Sequence, residues 1–313
     1  MRIIGIGLCL VLAVIVQAET EQDKKARLDI LGEPNWREMV DDFERQLHDA
    51  KTDEDHLKCR MEAYKYLDGN YTSMTQGWVA IRLYEFTCNL PAGNIRHKYI
   101  EIMSIFLNKK NGVKCSMLLD FNKEDFTDLS RTLVMGKVMP PHKRNDYLLA
   151  GIVDFDSIKD KLKPYRYGEW TKNELGYPSK IKYGMKWTAL LVYARNGDKD
   201  ACREIIDVIK TEKNEDLVLN CLMPDLYYVK QPEIVVFLGE CLNNDAVGIP
   251  GADDYPPTYR YERAISNLQK MLIGFPVNPY NHYTKWGGTM LVTIPYLKEC
   301  REWFAKQKEW HFK

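Results

Sequence analysis

From residue 36 onward the apolar positions recur with the period of an α-helix. Trp36, Met39, Val40, Phe43 and Leu47 fall on one stripe, with Glu38, Asp41, Asp42 and Arg45 between them. Such a stripe must pack against another element, while Asp41-Asp42 faces solvent. Thr52 followed by Asp55 has the form of a capping box with Asp in the usual Glu position. It opens a second helix through Leu57, Met61, Tyr64 and Leu67, closed by Gly69. Between Met74 and Cys88, apolar side chains surround the helix (Trp78, Val79, Ile81, Leu83, Tyr84, Phe86), which predicts a central, well-buried element. A fourth helix follows Pro91-Ala92-Gly93 through Ile95, Tyr99, Ile102, Met103, Phe106 and Leu107, and stops near Asn111-Gly112. Shorter helical stretches cover 123–135 and 147–162.

The pattern breaks over 159–186. Lysines outnumber acids there, tyrosines and tryptophans are interleaved, and Pro164, Gly168, Gly176, Pro178 and Gly184 interrupt any long helix. This segment reads as a connection between an N-terminal helical region (34–158) and a C-terminal one (187–313). In the latter, a helix ending at Asn196-Gly197 is followed by a partner starting at Asp198. Another, from Glu215 to Met223 and stopped by Pro224, is followed by a partner starting at Pro232. Two helical pairs spaced by roughly 30 residues point to HEAT-like hairpin packing. Helices over 261–272 and 294–304 complete the chain, with loops at 139–144, 248–257 and 275–288. Strict apolar–polar alternation is nowhere sustained, so the expected fold class is all-α and multi-helix, with no substantial sheet.

The N-terminus changes the setting. Arg2, the apolar run Ile3 to Val16 and the small residue Ala18 have the layout of a secretory signal peptide over 1–18. The run is too short to cross a bilayer comfortably and no second long run follows, so an exported chain without membrane insertion is expected. A charged, weakly periodic tail occupies 19–33. Export makes disulfides the natural fate of cysteine. Cys9 leaves with the signal, and Cys59, Cys88, Cys115, Cys202, Cys221, Cys241 and Cys300 remain. One bond among the first three and one or two among the last four are expected to staple the fold, with the connectivity open and one thiol left over. Asn70-Tyr71-Thr72 is the single glycosylation sequon, in a turn between two helices, so Asn70 either carries a glycan or is an unused match.

Charge and motifs exclude several classes. Lys plus Arg and Asp plus Glu number 44 each, which argues against bulk electrostatic capture of nucleic acid or an anionic membrane. None of the sequence signatures of a metalloprotease, a serine-hydrolase elbow, a phosphate loop or a dinucleotide fold occurs. No catalytic residue is assigned. His56 and Cys59 lie one helical turn apart, but no second pair accompanies them, so neither a zinc site nor any other cofactor is expected. Asp253-Asp254 lies in a Pro-rich loop with too few oxygen ligands for calcium.

The candidate binding patch is Lys161, Lys163, Tyr165, Arg166, Tyr167, Lys180 and Lys182. Cations among tyrosines suit a sulfated glycan, a phosphate group or an acidic protein surface. The plainer reading is that the lysines solubilise a linker whose aromatics pack its turns. The aromatic loop 278–286 has the same two readings.

Four segments carry a resemblance: Asn35-Trp36-Arg37-Glu38, Cys59-Arg60-Met61-Glu62-Ala63-Tyr64, Thr75-Gln76-Gly77-Trp78-Val79-Ala80-Ile81-Arg82-Leu83 and Tyr296-Leu297-Lys298-Glu299-Cys300-Arg301-Glu302-Trp303-Phe304. With the signal pattern, this layout resembles the 34-kDa secreted salivary proteins of blood-feeding mosquitoes. The resemblance implies a non-enzymatic extracellular protein of saliva that binds a host protein or cell-surface receptor. It would modulate immune, inflammatory or haemostatic responses at a bite. It supplies no catalytic or binding residues. Two other functions fit the residues alone: a helical carrier of a small hydrophobic or amine ligand, and a binder of heparin-like glycosaminoglycan.

Overall fold

The computed structural model describes residues 35–109, 112–170, 184–245, 248–249, 258–277 and 292–313. The signal pattern, the tail 19–33, the acidic pair Asp253-Asp254 and the aromatic loop 278–286 lie outside them. The fold is all-α. Among the described residues the only strands are the two-residue β1 (Gly248–Ile249) and β2 (Thr258–Tyr259), paired antiparallel with Gly248 opposite Tyr259. No described helix is long and apolar enough to cross a membrane. The chain divides into two compact units, one up to Lys114 and one from Cys115.

The first unit holds α1 (Trp36–Asp49), α2 (Asp53–Asp68), α3 (Ser73–Asn89) and α4 (Asn94–Ile105). Val40, Phe43 and Leu47 of α1 are buried and the helix packs mainly on α3. The capping box of α2 forms: the Thr52 hydroxyl accepts from the Asp55 amide at 3.2 Å, and Asp55 accepts from the Thr52 amide at 3.0 Å. Its packed face is rotated from the stripe expected. His56, Cys59, Ala63, Tyr66 and Leu67 are buried, while Leu57, Met61 and Tyr64 are about half exposed or more. The reason is local. His56 Nδ1 meets the Tyr99 hydroxyl at 3.2 Å, so a polar ring enters the core with a partner, and the buried Cys59 thiol donates to the Gln46 carbonyl at 3.3 Å.

The second unit begins with the single turn α5 (Cys115–Leu118), α6 (Asp128–Val138) and α7 (Arg144–Val153). It continues with α8 (Lys159–Tyr167), α9 (Met185–Arg195), α10 (Lys199–Thr211) and the turn α11 (Glu215–Leu217). Helices α12 (Pro232–Leu242), α13 (Arg260–Met271) and α14 (Ile294–Lys306) complete it. α9 is the centre: Trp187 to Val192 are all buried, and α7, α8 and α10 pack around it. Gly197 takes φ +90° in the turn to α10, a left-handed conformation that favours glycine. Gly239 of α12 lies where an added methyl group would overlap the Phe304 ring of α14, so the approach of these two helices requires a residue without a side chain there.

The stretch from Glu215 differs from the expected single helix to Met223, stopped by Pro224. α11 runs into a π-helical turn (Val218–Leu222) and then a 3-10 helix (Met223–Tyr228) that takes Pro224 at its start. Buried Asn267 of α13 satisfies the backbone this releases, donating to the Met223 carbonyl at 3.0 Å and accepting from the Tyr227 amide at 2.7 Å. The 3-10 helix and α12 both pack principally on α13.

The expected disulfide staples are not formed. The seven described cysteines sit on seven different elements: Cys59 on α2, Cys88 on α3, Cys115 on α5, Cys202 on α10, Cys221 in the π turn, Cys241 on α12 and Cys300 on α14. Five are buried, where a thiol packs as a small apolar group. Burial pushes the thiols up, Cys202 to about 12 and Cys241 and Cys300 to about 11. That suppresses the thiolate needed for disulfide exchange.

Candidate functional site

Helix α8 carries the described part of the basic, aromatic patch. It forms although Pro164 lies inside it, because Leu162 and Arg166 turn inward one helical turn apart and fix it against α9. Pro164 stays on the exposed side. At 100° per residue, Lys159, Lys163 and Tyr167 make one solvent row and Lys161 and Tyr165 another, on opposite flanks of the buried line. Tyr165 is 46% and Tyr167 66% exposed. Lys161 and Lys163 are exposed, and among the described residues the ion pairs of α8 are made by Lys159 and Arg166. Lys180 and Lys182 lie outside the described residues.

Arg166 is not part of that surface. Its Nε donates to Asp198 Oδ2 at 3.1 Å and its two terminal nitrogens reach Asp198 Oδ1 at 3.4 Å and Glu204 Oε2 at 2.9 Å. Lys186 joins from below, 2.7 Å from Glu204 Oε1 and donating to the Gly168 carbonyl at 2.7 Å. Burial disfavours the guanidinium charge, but the hydrogen bond and charge of Asp198 outweigh it and hold Arg166 ionised. Asp198 is held below the usual carboxylate range: burial opposes this, and the bonds from Arg166 and the Ala201 amide prevail. The cation predicted for recognition is an anchor that pins α8 to α10.

Two further aromatics extend the face. The Tyr193 ring meets Phe155 edge-on at 5.1 Å and Tyr167 at 6.2 Å, and its hydroxyl donates to the Lys159 carbonyl at 2.9 Å. The Arg166 guanidinium lies 5.1 Å over the Tyr167 ring. Tyr167 is therefore exposed yet held from two sides. Sequence reading passes over Phe155 and Tyr193 because each reads as core spacing within its own helix.

The sequon Asn70 is exposed in the turn between α2 and α3. Thr72, its third residue, is the N-cap of α3 and accepts from the Thr75 amide at 3.5 Å.

A second feature has no local sequence signal. α10 and α12 enclose an open groove of about 380 Å³ floored by Ile206, Pro232 and Phe237, with Val236 52% exposed at its edge. Ion pairs bridge it, Lys199 to Glu233 at 3.5 Å and Lys210 to Glu240 at 2.8 Å. Its residues lie about 30 positions apart along the chain, so only folding reveals it.

Among the described residues no group of three or more His, Cys, Asp or Glu side chains is placed to hold a metal ion. Comparison with protein-family models, with curated sequences and with solved structures gave no match to this chain.

Proposed function

We propose that this chain is a secreted, non-enzymatic binding protein that recognises a host protein or cell-surface receptor through the exposed face of α8. The observation that carries the reading is the pairing of a rigid mount with solvent-exposed aromatic side chains. Arg166 and Lys186 lock α8 to α10, and Tyr165 and Tyr167 stand in solvent on the locked helix. Aromatic anchors held by a firm scaffold lose little freedom on binding, the usual economy of an interface hot spot. Secretion into saliva and action on immune, inflammatory or haemostatic components rest on the Met1 to Ala18 pattern and on the resemblance of the four quoted segments.

HEAT-like packing belongs to the same reading. α10 and α12 lie side by side as the second helices of successive pairs would. The broken element at 215–228, whose main neighbour is α13, departs from the simple hairpin.

The exposed Lys161 and Lys163 favour a second reading, a sulfated glycosaminoglycan as partner. One experiment separates the two. The mature protein and its Tyr165→Ala/Tyr167→Ala and Lys161→Ala/Lys163→Ala variants are immobilised and exposed to detergent-solubilised membrane proteins of vertebrate skin and blood cells, and separately to heparin. Retention of a protein that the tyrosine variant loses supports receptor recognition. Loss of heparin retention in the lysine variant alone supports the glycan. A tyrosine variant that retains the same proteins as the parent rejects the α8 face.

A further inference from the structure

We propose that the α10/α12 face is a self-association surface that takes a second copy of this chain. The two helices run in the same direction, because Lys199 near the start of α10 pairs with Glu233 near the start of α12, and Lys210 near the end of one with Glu240 near the end of the other. The solvent row of α10 is basic around one apolar residue: Lys199, Arg203, Ile206, Lys210. That of α12 is acidic around one: Glu233, Val236, Glu240. Asp200 and Asp207 lie on the flank of α10 further from the groove, Asp200 in contact with Arg203.

A two-fold axis running along the groove sets α10 of each copy over α12 of the other without changing height along the helices. Each lysine then lies above the glutamate it already pairs with in its own chain: Lys199 over Glu233 of the second copy, Lys210 over Glu240 of the second copy. Half-buried Ile206 faces exposed Val236 of the second copy across the axis, above a floor that holds the buried Phe237 ring, and four helices surround a small apolar centre. An axis across the groove instead sets Lys199, Arg203 and Lys210 against one another and is rejected by like charge. The pattern is therefore self-complementary in one register only.

α10 presents a row about 20 Å long, and a two-helix face of that length is below the ~800 Å² per partner of a standard stable interface. The dimer is accordingly weak and reversible, and its charge pairs make it sensitive to salt.

The test is sedimentation equilibrium of the mature chain from about 1 μM to about 1 mM, the range of weak complexes. A reversible monomer–dimer equilibrium is expected, with association weakened at least tenfold by Val236→Glu, an exposed site. The paired exchange Lys210→Glu/Glu240→Lys keeps the ion pair within each chain. It is expected to dimerise with itself and to form mixed dimers with the parent at least tenfold less readily. A parent that stays monomeric throughout rejects the surface. So does a folded Val236→Glu protein that dimerises as the parent does, or a paired exchange that mixes freely with it. Circular dichroism checks the fold of both variants, and if Val236→Glu unfolds, the paired exchange alone decides.

Discussion

Asp225 Oδ2 accepts from the indole Nε1 of Trp187 at 3.0 Å, inside the second unit. The same oxygen meets the Arg144 guanidinium at 2.6 Å, and both members of that ion pair are nearly buried. Trp187 itself is fully buried. One carboxylate thus ties the 3-10 helix to α9 and α7. Asp225→Ala leaves a guanidinium and an indole N–H without their acceptor, and is expected to cost about 3 kcal/mol. Asp225→Asn keeps an acceptor for the indole and should lose less. Urea unfolding followed by tryptophan fluorescence checks both values.

The Arg166–Asp198 pair sets an expectation for acid. The folded pKa of Asp198 is depressed, so its contribution is fully present above the ordinary aspartate value of about 3.9. It is lost as pH falls below that value through the folded pKa. Asp198→Asn should therefore destabilise the protein near neutrality and flatten the loss of stability as pH falls below about 4. Thermal melts of both proteins across that window provide the comparison. Parallel pH curves would show that Asp198 does not contribute to the acid limb.

Thiol chemistry offers a third check. Cys202, raised to about 12, and Cys241, raised to about 11, stay protonated at pH 8 in the folded protein. Iodoacetamide is expected to leave both unmodified under native conditions and to label both in denaturant without any reductant. Peptide mapping reads the result. Labelling that requires a reductant would mean that these residues are bonded to other cysteines.

Gly239 faces Phe304 with no room for a methyl group. Gly239→Ala is expected to cost about 1–3 kcal/mol by overpacking. Shortening the opposing side chain with Phe304→Leu should recover part of that loss in the double variant, and a double-mutant cycle of unfolding free energies measures the coupling.

Helix existence was largely legible in the chain, and facing was less so. Val40, Phe43 and Leu47 of α1 are buried as their spacing requires. On α2, of the expected stripe Leu57, Met61, Tyr64 and Leu67 only Leu67 is buried and the other three point outward, because hydropathy counts His56 as polar and cannot see the Tyr99 hydroxyl that partners it. The stretch 215–223 reads as one helix stopped by Pro224, because Asn267, which makes its broken backbone and the 3-10 continuation through Pro224 tolerable, is supplied from α13. The basic segment was singled out by composition, and composition treats Arg166 like Lys163. Only the acids of α10, 32 and 38 positions later, distinguish an anchor from a surface charge. The groove between α10 and α12 is a purely tertiary object.

Thr72 serves two masters. It completes the tripeptide recognised for N-glycosylation, and its hydroxyl also starts α3. Deleting the sequon through this threonine therefore frays a helix at the same time, and any phenotype would mix sugar with scaffold. Asn70→Gln leaves the helix start intact, so it is the substitution from which the role of a carbohydrate at this turn can be read cleanly.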